Sequence, residues 1–175
     1  VSSERVRDEF VKGLHSAKDP RAFIDDLFSR FSMQESVFPG LIVDDREVST
    51  RHVPVALSML LGKNDPVFTA RTLNRLKYTA QEVSKTSFLT LFREITPTRA
   101  YRMKKMANSC HITYEEIASM CSNAHVHIDP RLVAAFLKFK LTVSGEPMRE
   151  AGMEPKEIGL EIERLETSLF TESMR

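Results

Sequence analysis

The chain has 175 residues, 42% of them hydrophobic and 28% charged, which excludes disorder and allows one ordinary domain or two small ones sharing helices. Two cysteines, Cys110 and Cys121, are too few for a disulfide framework, and no apolar run approaches the ~20 residues that span a bilayer. A soluble chain with no membrane partner, in a cytoplasmic or other reducing compartment, is therefore expected. The net charge of +1 conceals a partition: −3 over residues 1–50, +7 over 63–105 and −4 over 146–175.

The punctuation along the chain predicts an all-α fold. A first helix follows Ser3, with Val6, Phe10 and Leu14 four residues apart. It begins almost at Val1, which is not Met, so an excised fragment is expected ahead of simple processing. Asp19-Pro20 starts a second helix, with Phe23, Leu27 and Phe31 on one stripe and Ile24 and Phe28 widening it. Residues 37–43 suit an extended segment, although no strand partner is evident. Further helices are predicted at about 50–61, 66–77, 80–95, 97–109, 114–122 and 130–141. Five of these have explicit starts. Asp65-Pro66, Thr96-Pro97 and Asp129-Pro130 each join a capping side chain to a proline in the first turn, where a missing N–H costs nothing. Thr79 with Glu82, and Thr113 with Glu116, form capping boxes that satisfy two orphan donors each. Glycine and proline interrupt the pattern over Thr142-Val-Ser-Gly-Glu-Pro147, dividing an irregular helical body, 1–141, from a helical tail, 142–175. A last helix at about 155–170 carries Ile158, Ile162, Leu165 and Leu169.

The chemistry of catalysis is hard to find in these residues. Nucleotidyl transfer needs two or three carboxylates converging on Mg²⁺. Asp25-Asp26 and Asp44-Asp45 are neighbours in sequence, and adjacent residues on a helix point about 100° apart, so Asp25 and Asp26 do not make a shared metal clamp alone. No phosphate-binding loop, dinucleotide fingerprint or hydrolase elbow occurs. Cys110, Cys121, His125 and His127, with His111 nearby, lack the tight Cys-x₂-Cys pair of a structural zinc site. Cys121 lies in phase with Ile117 and reads as a small core side chain. No catalytic residue, metal or cofactor is assigned to this chain.

The basic middle is more informative, since such a field draws a polyanion to one zone. On the helix at 66–77, Ala70, Leu73 and Leu76 mark the buried side. Arg71 and Arg75 project from nearly the opposite side, and Lys77 stands at the helix end. On the helix at 97–109, Ala100, Met103, Met106 and Ala107 form the apolar arc, and Tyr101, Arg102, Lys104 and Lys105 are placed on the other. Cations neutralise phosphates and a tyrosine ring stacks on a base, so these seven residues are the candidate RNA-binding set. The competing reading is a solubilising face with one surface tyrosine.

Several short patterns, in order, resemble the region after the catalytic head in class II tRNA nucleotidyltransferases, the CCA-adding enzymes, and in bacterial-type poly(A) polymerases. They are Ser3-Glu-Arg-Val-Arg-Asp-Glu9, Phe38-Pro39-Gly40-Leu41, Pro54-Val-Ala-Leu57 and Leu73-Asn-Arg-Leu-Lys-Tyr78. Val143-Ser-Gly145, Gly152-Met153 and Lys156-Glu-Ile-Gly159 resemble the family's tail. Two tail positions depart from it: Glu146-Pro147-Met148 replaces an acidic-Leu step, and Glu154-Pro155 stands where a glycine is usual. The resemblance implies a body and tail that hold the acceptor arm of tRNA, or the 3′ part of another RNA. The partners it implies are a catalytic head and neck, with Mg²⁺ and CTP or ATP serving the head. The other readings of the chain are the same region of a poly(A) polymerase, or a non-catalytic helical protein-interaction domain.

Overall fold

The computed structural model describes residues 2–30, 34–42, 48–92 and 97–174. Among them the fold is all-α, with no strand. The helices are α1 (Ser3–Ser16), α2 (Pro20–Asp25), α3 (Gln34–Val37), α4 (Val53–Leu60), α5 (Pro66–Arg75), α6 (Ala80–Leu91), α7 (Pro97–Cys110), α8 (Tyr114–Asn123), α9 (Pro130–Lys138), α10 (Glu146–Glu150) and α11 (Pro155–Ser173). A π-helical stretch, Asp26–Arg30, continues α2.

Most starts lie where the capping chemistry puts them. Asp19 and Asp65 each accept two backbone N–H groups in the first turn of α2 and α5, and Asp129 accepts one in α9, each ahead of a proline. Both predicted capping boxes form, at Thr79 and Thr113. The cap of α1 is Ser2 rather than Ser3, through the Arg5 N–H at 3.3 Å. Thr96, Phe31 and Asp44-Asp45 lie outside the described residues.

The described chain falls into two compact units. The first comprises Val1–Arg93 and Cys110–His127, the second Glu94–Ser109 and Ile128–Arg175. Leu141 and Thr142, where the sequence places its division, both fall within the second unit.

In the first unit α4 is the central helix. Its segment Val53-Pro-Val-Ala-Leu-Ser-Met-Leu60 carries no charge, and every residue of it is buried, as a helix apolar all round must be. Pro54 in its first turn places its start three residues after the expected one. It packs on α6 and α8, while α5 packs on α6 and α1 on α2 and α3. Phe10 of α1 meets Phe38 edge-on, with ring centroids 5.3 Å apart, which seats the turn after α3 on the core. Arg51 donates to the carbonyls of Ala17 (2.7 Å) and Lys18 (3.0 Å), closing the end of α1. Lys85 and Glu116, on α6 and α8, form a nearly buried ion pair at 2.6 Å, and His52 Nε2 lies 3.2 Å from the same Glu116 oxygen.

In the second unit α9, α10 and α11 gather with most of α7. Phe170 of α11 packs edge-on against Phe136 and Phe139, at 6.3 and 5.2 Å. Glu166, 1% exposed, accepts the backbone N–H groups of Thr142 (2.5 Å) and Val143 (2.6 Å). Those donors are satisfied by a side chain from α11, so α9 stops at Lys138 instead of running to 141. Helix α10 occupies part of the stretch read as a break. Five residues are too few to show a helical period. It ends at Gly152, whose φ of 80° closes the turn with Met153 N–H bonded to Met148 O at 3.1 Å.

Candidate nucleic-acid interface

Helix α5 carries the first group of candidate residues. Thr69, Thr72 and Leu73 are buried along one side, which leaves Arg71 and Arg75 exposed on the other. Lys77 is also exposed, and it is held in a left-handed conformation, φ 64°. Its N–H bonds to Asn74 O at 3.0 Å and the next N–H, of Tyr78, to Leu73 O at 3.1 Å, the double bond that closes a helix over its own carbonyls. A guanidinium N–H of Arg7, from α1, donates to the Lys77 carbonyl, fixing this helix end to the body. Arg75 reaches Pro39 O at 3.3 Å. Among the described residues no carboxylate pairs with Arg71, Arg75 or Lys77, so their charge is available to an anion.

Helix α7 carries the second group, in the other unit. Arg102 and Lys105 are exposed and Tyr101 is half-buried. Lys105 Nζ lies 5.6 Å from the centre of the Tyr101 ring, so one ring face already holds a cation. Arg102 pairs with Glu163 of α11 at 2.9 Å, with 74% of its side chain still exposed. Lys104 requires a correction. It is 4% exposed, and its ammonium donates inward to the carbonyls of Phe136 (2.9 Å) and Leu137 (2.6 Å) at the end of α9. The reason lies in helical spacing: Lys104 follows Ala100 by four residues and precedes Ala107 by three, so it shares their buried face. Burial pushes the ammonium below its ordinary range, and no surface anion can reach it.

No family model, curated protein or solved structure matches this chain. The site is therefore read from its own residues.

The remaining titratable groups fall into structural roles. Cys110 and Cys121 are buried, and burial pushes both thiols up. His111 and His125 stand in left-handed positions, φ 52° each, and His125 closes α8 as Lys77 closes α5. Among the described residues no three His, Cys, Asp or Glu side chains come together to hold a metal. Asp25 and Asp26 face separate arginines, Arg21 at 3.9 Å and Arg30 at 2.8 Å. Among the described residues, no helix is long and apolar enough to cross a membrane.

Sequence reasoning passed over Phe68. It lies on the exposed side of α5, 41% exposed, in the row formed with Arg71 and Arg75. The signal was available: 68, 71 and 75 follow the i, i+3, i+7 spacing of one helix face.

Proposed function

We propose that this chain is the RNA-holding C-terminal part of a template-independent tRNA nucleotidyltransferase, gripping the acceptor arm while a separate head adds CCA. The observation that carries this reading is the set of cations Arg71 and Arg75 on α5 and Lys77 just past its end. These three exposed cations lie within the +7 stretch, and none has a carboxylate partner among the described residues. The ordered resemblance of the motifs supports it as well. Holding RNA serves catalysis by keeping the 3′ hydroxyl at an attack position, which lowers the entropic cost of the step. Recognition through phosphates suits an A-form stem, whose deep groove hides the base edges. Mg²⁺ and the nucleoside triphosphate belong to the head in this reading, and tRNA is the partner of the present chain.

Binding of tRNA and of poly(A) across a salt series tests this. Wild type is expected to prefer tRNA, with affinity falling steeply as salt rises. Replacing Arg71, Arg75 and Lys77 by Gln is expected to flatten the log–log slope by about 2–3, at roughly 0.9 per duplex phosphate contact. Equal affinity for poly(A) points instead to the poly(A) polymerase reading. No RNA binding at low salt overturns the proposal in favour of a protein-interaction domain.

A further inference from the structure

Phe68 is an exposed aromatic ring in a strongly cationic row, and its surroundings are fixed. The turn Phe38-Pro39-Gly40-Leu41 lies along this face of α5. Phe38 and Leu41 are buried, and Leu41 N–H bonds back to Phe38 O at 3.1 Å. A methyl group placed on Gly40 would lie 3.8 Å from Phe68 Cζ, in ordinary contact, and the Arg75 guanidinium bonds to Pro39 O at 3.3 Å. Just beyond the turn, the backbone of Ile42 is held on both sides by Asn64, at 2.8 Å to its N–H and 2.6 Å to its carbonyl. The side chain of Arg75 leans toward the N-terminus of its helix, as helical side chains do, so its charge and the Phe68 ring converge on adjacent residues of one turn. Gly40, with φ 72°, takes a conformation that a side chain would strain.

A ring 41% exposed, followed along the same helix face by two guanidinium groups that lack carboxylate partners among the described residues, has the chemistry to take a base and the phosphates beside it. The geometry points to Phe68 as a stacking platform for an unpaired base of single-stranded RNA, with Arg71 and Arg75 taking the flanking phosphates. This rests on the RNA-holding reading above and adds to it: the α5 face accepts an unstacked nucleotide next to the stem as well as duplex backbone.

The probes are a single-stranded oligoadenylate of about 12 nucleotides, within the usual range of such sites, and a blunt RNA duplex of the same length. The variants are Phe68→Ala, Phe68→Leu and Phe68→Tyr. Both Phe68→Ala and Phe68→Leu are expected to weaken oligoadenylate binding roughly 5- to 150-fold, with the salt slope unchanged and the blunt duplex bound as before. Phe68→Tyr keeps the ring and is expected to bind like wild type. Phe68→Leu also retains apolar area, so its loss separates stacking from simple burial or unfolding. If Phe68→Leu binds oligoadenylate as wild type does, or loses duplex binding equally, the stacking platform is wrong while the phosphate row stands. If wild type binds no RNA, the RNA-holding reading fails and this inference fails with it.

Discussion

Tyr78 follows the left-handed Lys77 and is 5% exposed, and its hydroxyl has no hydrogen-bond partner among the described residues. Burial raises its ionisation well above the ordinary value near 10, helped by the Glu82 carboxylate and opposed by Arg7. The folded state therefore holds the proton after the unfolded chain has released it. The stability tied to that proton is complete below about pH 10 and is lost as pH rises above it. Tyr78→Phe is expected to fold within about 1 kcal/mol of wild type at neutral pH, since it removes an unpaired buried hydroxyl. It is also expected to show a shallower fall in thermal stability between pH 10 and 11. Parallel falls for the two proteins would contradict this account of the ring.

At the scale of elements, helix ends decide more than helix interiors. Helix α9 ends against Lys104, a cation from α7 set at the negative end of the α9 dipole and bonded to two of its last carbonyls. The Phe136 ring lies 5.4 Å from the same ammonium. Lys104→Met fills the space but strips a charge-assisted bond from each carbonyl, and is expected to destabilise the fold by about 1–3 kcal/mol. The salt slope of RNA binding is expected to stay as in wild type. Urea unfolding together with the salt series checks both halves, and a flattened slope at full stability would return Lys104 to the surface set. Spacing alone placed Arg71 and Arg75 correctly, because α5 has a simple two-sided pattern. It misplaced Lys104 because a lysine on an apolar stripe reads as polar until the carbonyls that receive it are known.

For the whole molecule, the charge partition has a structural counterpart in the second unit, where acidic α11 meets basic α7 through Glu163 and Arg102. A phosphate approaching Arg102 must displace a carboxylate that is already there, although an exposed pair of this kind holds only about 0–1 kcal/mol. Replacing Arg102 and Lys105 together by Gln is therefore expected to flatten the salt slope by about 1, less than the α5 triple replacement. Arg149 and Arg164 serve as controls: Arg164 is taken up by Glu161 at 2.6 Å, and replacing this pair is expected to leave the slope near the wild-type value. A larger effect from the Arg102 and Lys105 pair than from the α5 row would reverse the order of the two surfaces.

The all-α class and the helix starts that carry an Asp-Pro cap or a capping box were legible in the sequence, because capping residues, prolines and apolar period act over three or four neighbouring positions. Asp65 caps its own next turn whatever the rest of the chain does, and Val53–Leu60 has no charge to leave in water. Helix ends were legible less often. α9 stops at Lys138 because Glu166, far along the chain, takes the N–H groups of Thr142 and Val143. The same distance rule governs the candidate site. Which cations stay open is decided by partners that local spacing does not contain: Glu163 on Arg102, two carbonyls on Lys104, and the Pro39-Gly40 turn that brings Arg75 and Phe68 together. Local sequence encodes short-range hydrogen bonding and the sidedness of a helix, whereas burial and pairing depend on contacts made only when distant segments pack.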